Sequence, residues 1–246
     1  MSREARASAT RKRTRINRDI ARVCAPEQNR KLPARRFPNA NEAFITKRDD
    51  VARGSVVPWP LETEVPGFRT ATERYTKAMI ELSKKMLPIY ACALELEETY
   101  FDRFFELPFY RMRQTRYPVV NGRAGEGEGI APHVDTSFFT VLAVTGPGLV
   151  VWSERAQEWV AANPGKDELV VNTGELLKRL TNDKFLATRH LVPVNRGPRE
   201  RYSLPFFFNA QGDVEMGVLP TCCSAEDPPK YRPTSYYDSQ AAAQGE

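Results

Sequence analysis

Three side chains that can bind a metal ion stand out in a chain that contains only two histidines. His133 and Asp135 lie two residues apart in the segment IAPHVDTSFF, and His190 follows much later in TRHLV. Two imidazoles and one carboxylate can cap one face of an Fe(II) ion and leave the opposite positions open. Side chains two apart in a strand point the same way, so His133 and Asp135 could reach one ion from one strand. The spacing predicts a metal site that a second strand completes with His190.

A His-x-Asp motif also occurs by chance, and either histidine could be an ordinary core or surface residue, so the surrounding segments decide its interpretation. VVNTGELLKRLTN precedes RHLV, and an Arg-x-Ser pair, Arg201 and Ser203, follows in RYSLPFFF. In this order, across residues 41–238, the motifs resemble the iron(II)/2-oxoglutarate-dependent oxygenase superfamily, and within it the isopenicillin N synthase-like branch. The resemblance implies a double-stranded β-helix, or jelly roll, with helices on one side.

The resemblance also implies two cofactors, Fe(II) and 2-oxoglutarate as cosubstrate, with O2 taking the last iron position. Arg201 is placed to bind the far carboxylate of 2-oxoglutarate, because a guanidinium is a planar, two-pronged donor. Ser203 lies two residues along the same strand face and could add a hydroxyl. Tyr117 matches a position where the family often has a tyrosine near the cosubstrate or substrate. The alternatives are a surface salt bridge for Arg201 and an ordinary strand serine at Ser203; no catalytic residue beyond the metal site is predicted.

The elements that must position these residues are mostly strands. Many short apolar runs separated by Gly and Pro turns are typical of a sandwich or jelly roll. A short helix is predicted at Glu175–Leu180, an amphipathic helix from Phe68 to Tyr90 and a second helix at Glu95–Phe105. Strands are predicted at 111–120, 130–135, 138–144, 149–152, 158–161, 168–172, 187–194, 202–209 and 214–218. The predicted fold class is therefore mainly β with flanking helices, a double-stranded β-helix.

At 246 residues the chain predicts one large domain with tails. The predicted parts are a basic, disordered tail (1–36), a partial N-terminal helical and loop region (37–110), the catalytic double-stranded β-helix domain (111–223) and a polar, peripheral C-terminal tail (224–246). Within the second part, residues 37–67 are predicted to be an extended loop. The resemblance implies a strand and helices ahead of the barrel, and no such segment is found before Asn41. A naturally short or truncated N-terminus explains this, and we expect an unpaired sheet edge.

The net charge of +5 comes from one end of the chain. Residues 1–36 carry twelve Arg or Lys residues and three acidic ones, whereas the rest carries 24 basic and 28 acidic residues. A basic arm can bind nucleic acid or direct nuclear import, and it can equally be a solvated, disordered end. We expect the second, and therefore no nucleic-acid partner.

Cysteine usage and hydropathy indicate the compartment. The four cysteines show no CxxC spacing. The basic start is not followed by an apolar run of the secretory type, and no stretch is apolar enough to span a bilayer. We therefore expect a reducing, cytoplasmic compartment, no membrane partner and a monomer.

The predicted function is Fe(II)- and 2-oxoglutarate-dependent oxidation of a small organic molecule in secondary metabolism, by hydroxylation, desaturation or cyclisation. Two alternatives stay open. One is a non-haem iron oxidase of the isopenicillin N synthase type, which takes all its electrons from the substrate. The other is a catalytically silent jelly-roll binding protein with a truncated N-terminus. The basic tail adds a nucleic-acid demethylase as a lesser option.

Overall fold

The computed structural model of the chain describes residues 39–50, 54–121 and 128–245. The predicted basic tail (1–36) and most of the glycine-rich segment NGRAGEGEG (121–129) lie outside these residues. Short 3-10 turns lie at Asp102–Phe104 and Pro220–Cys222. The helices and strands are β1 (Glu42–Lys47), α1 (Phe68–Ala93), β2 (Phe109–Tyr117), β3 (Glu128–His133), β4 (Phe139–Val144), β5 (Leu149–Ser153), β6 (Glu158–Ala162), β7 (Val170–Thr173), α2 (Glu175–Leu180), β8 (His190–Pro193), β9 (Arg201–Asn209) and α3 (Tyr236–Gly245).

The strands form two antiparallel sheets. The larger sheet has the order β1-β2-β9-β4-β7, and the smaller has the order β3-β8-β5-β6. Strands that are neighbours in space are mostly distant in sequence, so the chain passes repeatedly between the two sheets. This is the winding of a double-stranded β-helix, and the predicted fold class is confirmed.

The two faces of the larger sheet pack against different parts of the protein. Successive side chains of each strand point to opposite faces. One face packs under α1: Met112 and Phe206 are paired in register and belong to the main core cluster with Met79 of the helix. The other face is turned toward the smaller sheet. There Tyr117 of β2 belongs to a second apolar cluster with Val192 of β8. The barrel interior therefore lies between the sheets, and α1 closes the outer face.

β1 corrects the prediction for residues 37–67, which are not a continuous loop. Its residues Glu42 to Lys47 pair antiparallel with Arg116 to Arg111 of β2, and β1 is thus an edge strand of the larger sheet. Phe44 is buried and its ring packs against the rings of Trp59 and Phe68. The segment EAFITK was missed because it is short and buries only alternate side chains on one face.

α1 confirms the amphipathic helix predicted from Phe68, but the second helix predicted at Glu95–Phe105 is wrong. Glu95 has a φ of 57°, a left-handed conformation that ends a right-handed helix. Only the 3-10 turn Asp102–Phe104 follows. The aromatic residues of that segment nevertheless point inward, since Phe101 and Phe105 are buried. Among residues 39–50, 54–121 and 128–245, no helix is long and apolar enough to cross a bilayer.

The C-terminal segment 224–246 is not simply peripheral. Tyr236, at the start of α3, is buried, and its ring centroid lies 4.9 Å from that of Phe109 on β2. The next residue, Tyr237, donates a hydrogen bond to Asp50. The strand predicted at 214–218 is reduced to a single bridge between Met216 and Thr234. The C-terminal segment thus packs against the end of β2.

Candidate functional site

The structure brings the three predicted metal-binding residues together between β3 and β8. His133 ends β3, His190 begins β8, and the two are paired in register with ring centroids 4.2 Å apart. One ligand atom from each of His133, Asp135 and His190 lies within 4.8 Å of the others. The strand predicted at 130–135 ends at His133, so Asp135 comes from the loop after β3 and not from the strand itself.

Backbone carbonyls orient both imidazoles. The Nδ1 atom of His133 lies 2.8 Å from the carbonyl oxygen of Ala131, and Nδ1 of His190 lies 3.0 Å from that of Thr188. A carbonyl oxygen only accepts, so Nδ1 carries the hydrogen in both rings. Each Nε2 is then left with a lone pair directed at the cluster, which is the usual arrangement of metal-binding histidines.

Two side chains hold the carboxylate of Asp135, which is itself buried. Thr140 Oγ1 on β4 donates to Oδ2 at 2.6 Å, and Asn172 Nδ2 on β7 donates to the same oxygen at 2.9 Å. Ser137 Oγ lies 2.9 Å from Thr140 Oγ1, and because that hydroxyl already donates to Asp135, Ser137 is the donor. The other oxygen, Oδ1, faces the histidines.

Backbone hydrogen bonds from the turn before α2 hold the loop that carries Asp135. The backbone N–H of Glu175 donates to the carbonyl of Asp135 at 2.7 Å, and that of Gly174 donates to Phe138. A Cβ at Gly174 would lie 2.1 Å from the carbonyl oxygen of Ser137, so only glycine allows this approach. The segment Asn172-Thr173-Gly174 therefore acts on the site twice, through the Asn172 side chain and through this contact.

The donor set fits Fe(II). Asp135 Oδ1 lies 3.8 Å from Nε2 of His133 and 3.6 Å from Nε2 of His190. Two ligands that each lie about 2.1 Å from one ion can be up to about 4.2 Å apart, so both separations fit a shared ion. Burial, followed by the neighbouring His190, lowers the pKa of His133 and favours the neutral imidazole that binds metal. Two neutral imidazoles and one carboxylate are the donors preferred by non-haem Fe(II).

Arg201, Ser203 and Tyr117 lie together on the interior face of the larger sheet. Arg201 and Tyr117 are paired in register, and the guanidinium carbon lies 5.0 Å from the Tyr117 ring centroid. Ser203 is buried on the same face. Arg201 Nε donates to the carbonyl of Gly146 at 3.1 Å. The predicted strand position of Arg201 is thus interior, and a surface salt bridge is excluded for it.

The guanidinium of Arg201 has an unsatisfied hydrogen-bond donor. The residue is 6 % exposed, and its Nη1 atom has no hydrogen-bond partner in the described part of the chain. Burial lowers the pKa of Arg201, with Tyr117 acting in the opposite direction. A buried cation with an unsatisfied donor is costly unless a charged partner enters. The far carboxylate of 2-oxoglutarate is such a partner, so these residues fit the cosubstrate.

Gly129 allows β3 to approach Tyr117 closely. A Cβ at this position would lie 2.8 Å from the carbonyl oxygen of Pro193 and 3.0 Å from Tyr117 Cδ1. Tyr117 is 1 % exposed, so it has no room to move away. The glycine therefore fixes the ring that packs against Arg201.

Several residues of the site were not predicted. Thr140 and Ser137 hold Asp135, and a threonine within the apolar run FFTVLAV was the available signal for the first of them. Arg113 lies on the interior face of β2, and Asn41 contacts it just ahead of β1. The contact between Arg113 and Asn41 joins residues that are far apart in sequence, so local sequence pattern does not reveal it.

Comparisons with known proteins agree with this architecture. Residues 109–210 match the family described as the 2OG-Fe(II) oxygenase superfamily. The chain is 35% identical over 184 residues to the 2-oxoglutarate-Fe(II) type oxidoreductase hxnY of Emericella nidulans, covering 73% of this chain and 52% of that protein. It is 34% identical over 184 residues to azadirone synthase LFS of Melia azedarach, covering 70% of this chain and 54% of that protein. The chain thus spans about half the length of the curated relatives that it matches.

Among solved structures, that of a full-length Neurospora crassa protein in complex with α-ketoglutarate superposes with a TM-score of 0.81. The match covers 100% of this chain and 83% of that chain at 22% sequence identity, so it speaks for the fold alone. The jelly-roll winding, the matched segment that runs from β2 to the end of β9, and the sequence similarity all lead to one assignment. The chain belongs to the 2OG-Fe(II) oxygenase superfamily.

Proposed function

We propose that this protein oxidises a small organic molecule with Fe(II), 2-oxoglutarate and O2. The observation that carries the proposal is the buried, incompletely bonded guanidinium of Arg201 in the same barrel interior as the cluster of His133, Asp135 and His190. A group of metal-binding side chains alone would suit many functions. Such a group together with a buried cation that lacks an anion suits a cosubstrate with a carboxylate at its far end.

Each residue has a separate task in this proposal. His133, Asp135 and His190 hold the ion on one side and leave its other positions to ligands from the barrel interior. Thr140 and Asn172 fix Asp135 through Oδ2, which keeps Oδ1 directed at the ion. Arg201 and Ser203 bind the far carboxylate of the cosubstrate, and the Tyr117 ring holds the guanidinium in place.

Bound iron and 2-oxoglutarate supply the oxidation chemistry. With both bound, the reaction would consume O2, convert 2-oxoglutarate to succinate and CO2, and oxidise the substrate. The protein contributes an enclosed apolar surrounding, since Leu142, Leu149 and Val192 line the interior beside Tyr117. Exclusion of water there limits the loss of oxidising equivalents to solvent.

The test is succinate formation by the purified protein loaded with Fe(II), with 2-oxoglutarate and O2 present, measured with a panel of small organic substrates and without any. Succinate above the level of the Asp135→Ala variant, and dependent on O2, supports the proposal. Iron-loaded protein that forms no succinate under any of these conditions contradicts it.

The oxidase alternative makes a different prediction for the same sample. An oxidase of the isopenicillin N synthase type would consume O2 with its substrate in the absence of 2-oxoglutarate, and its Arg201 would bind the substrate instead. The relatives named as 2-oxoglutarate-Fe(II) type oxidoreductases favour the cosubstrate. Oxygen uptake measured with and without 2-oxoglutarate distinguishes the two.

We further propose a place in the isopenicillin N synthase-like branch and a role in secondary metabolism. The support is the order of the His-x-Asp, Asn-Thr-Gly, His and Arg-x-Ser motifs, together with a relative named azadirone synthase LFS. We also propose a cytoplasmic monomer. Cell fractionation and the molar mass in solution test these two properties directly.

A further inference from the structure

We propose that the substrate is a small organic acid and that two neighbouring cations, Lys47 on β1 and Arg111 on β2, bind its carboxylate. This inference rests on the proposed function, because it concerns the substrate of the same site. Neither residue has a task in binding the metal or 2-oxoglutarate. Their place in the sheet, their lack of acidic partners and the apolar side chains beside them support the assignment.

Lys47 and Arg111 lie side by side on the interior face of the larger sheet. They are paired in register across β1 and β2, so their side chains point to the same face. Met112, the next residue on β2, belongs to the main core under α1. Because successive side chains alternate, Arg111 and Lys47 point the other way, toward the smaller sheet. Both residues are half-buried there.

The row of the sheet that holds the two cations leads to the candidate metal ligands. Arg111 is paired with Phe207 of β9, which in turn is paired with Thr140 of β4. The hydroxyl of Thr140 donates to Asp135. Neighbouring strands lie about 4.8 Å apart, so the backbone of Arg111 is about 10 Å from that of Thr140. Arg201 is six residues from Phe207 along β9, a distance of about 20 Å. The two cations are therefore level with the metal ligands and separate from the cosubstrate position.

Lys47 and Arg111 have no acidic partner within the part of the chain that the structure describes. There the side chains of both form neither a salt bridge nor a hydrogen bond. By contrast, Arg116 on the outer face of the same strand is paired with Glu42 and Glu200. Like charges placed directly opposite each other on neighbouring strands destabilise a sheet. An anion that binds both cations would remove this repulsion.

The side chains around the pair suit the apolar body of an organic acid. Phe207, beside Arg111, is only partly buried, so part of its ring remains accessible. On the smaller sheet, Val151 is paired with His190 on one side and with Val160 on the other. The two valines therefore share the face of a metal-binding imidazole, and Val160 is 40% exposed. Apolar walls with a few charged groups are typical of small-molecule sites.

The C-terminal helix partly encloses the same end of the interior. Tyr236 of α3 is buried against Phe109, which lies two residues before Arg111 on the same face of β2. Burial raises the pKa of Tyr236, and the positive charge of Arg111 acts in the opposite direction, so the guanidinium lies near that phenol. A cation that is partly shielded from water attracts an anion more strongly than one in bulk solvent. A guanidinium also binds a planar carboxylate through two parallel hydrogen bonds, and the ammonium of Lys47 adds a point charge.

The experiment uses the full chain loaded anaerobically with Fe(II) and saturating 2-oxoglutarate. The visible charge-transfer band of the chelated cosubstrate is recorded first, as evidence that the site is assembled. Binding of benzoate, cinnamate and 4-phenylbutyrate, of their three neutral amides and of phenyl phosphate is then measured by calorimetry. The same titrations are made with Arg111→Gln, with Lys47→Gln, and with Arg74→Gln as control, since Arg74 lies exposed on α1.

We expect at least one carboxylate to bind at least tenfold more tightly than its amide to the unaltered protein and to Arg74→Gln. Arg111→Gln should weaken that carboxylate about tenfold to a hundredfold and leave the amide nearly unchanged, as loss of hydrogen bonds to a charged group predicts. Lys47→Gln should weaken it about twofold to fivefold, as loss of a half-exposed ion pair predicts. The band should be unchanged in both variants, because neither residue touches the metal or the cosubstrate.

Four results overturn the proposal while the band is present. They are equal binding of acids and amides, an acid preference that survives in Arg111→Gln, tighter binding of phenyl phosphate than of every carboxylate, and no binding by any of the seven compounds. An unchanged carboxylate affinity in Lys47→Gln contradicts binding by the pair. Absence of the band in the unaltered protein is a separate result, and it removes the proposed function together with this inference.

Discussion

Gly174→Ala is a sharp test of how the turn before α2 positions the iron site. Gly174 has φ −109° and ψ 179°, values that alanine adopts without strain, so the backbone conformation is not the obstacle. The obstacle is steric. The added Cβ would lie 2.1 Å from the carbonyl oxygen of Ser137 and 2.9 Å from its nitrogen, and both are backbone atoms. Since Cβ contacts shorter than 3.0 Å essentially never occur, one of the two segments must move by about 1 Å.

The expected cost follows from that displacement. Overpacking of a buried contact costs about 1–3 kcal/mol. For a chain of this size the melting temperature falls by about 2–4 °C per kcal/mol, so we expect a decrease of about 2–12 °C. The movement also reaches Asp135, whose carbonyl accepts the N–H of Glu175. We therefore expect the iron affinity to fall by about tenfold to a hundredfold, as disturbed support of a metal ligand does.

The assay is calorimetric unfolding of the metal-free variant together with an anaerobic Fe(II) titration. Gly146→Ala is the matched control, because a Cβ at Gly146 meets nothing within 4 Å. The control should unfold within about 1 °C of the unaltered protein and bind iron equally well. A Gly174→Ala protein that matches the control in both measurements would refute the role given to this contact.

Three further predictions concern side chains at and beside the site. Thr140→Val keeps the side-chain shape and removes the donor to Asp135, so iron affinity should fall about tenfold to a hundredfold in the same titration; an unchanged affinity would contradict it. Arg201→Leu should abolish 2-oxoglutarate binding at ordinary concentrations and leave iron binding unchanged. The substitution also removes a buried cation whose Nη1 has no hydrogen-bond partner, so the melting temperature of the metal-free variant should be no lower than that of the unaltered protein. Burial raises the pKa of Tyr236 to about 12, above its ordinary value of 10.0. The folded protein therefore favours the neutral phenol, and the free energy of unfolding falls as pH rises from about 10 toward 12. Between pH 9 and pH 11, the free energy of unfolding measured with urea should fall by about 1 kcal/mol less in Tyr236→Phe than in the unaltered protein; an equal fall in both would contradict the burial of this hydroxyl.

The strands and the helix nearest the site were predictable because their sequence patterns are local. α2 has the predicted bounds Glu175–Leu180, and β9 starts one residue before the predicted strand. Both are continuous runs in which apolar residues recur at the period of the element. Arg201 and Ser203 could be placed on one face by the same argument, and the structure has both buried there.

The remaining features depend on long-range pairing. β1 has only six residues and becomes a strand because β2 offers it an edge. The contact of Arg113 with Asn41 joins residues that are distant in sequence. The left-handed conformation of Glu95 marks the end of α1, for which glycine would have been the ordinary signal. In place of the second predicted helix, the chain forms successive tight turns, such as those closed by the N–H groups of Tyr100 and Asp102. The buried packing of Tyr236 likewise requires its partner Phe109 to be known.

The central claim is that His133, Asp135 and His190 bind Fe(II) beside a 2-oxoglutarate held by Arg201. The most direct measurement is the anaerobic visible spectrum of the Fe(II)-loaded protein as 2-oxoglutarate is added, with His133→Ala and Arg201→Leu recorded in parallel. We predict a charge-transfer band in the unaltered protein, no band in His133→Ala, and a band in Arg201→Leu only at much higher 2-oxoglutarate concentration. Iron bound without any band, or an equal band in all three proteins, would contradict the claim.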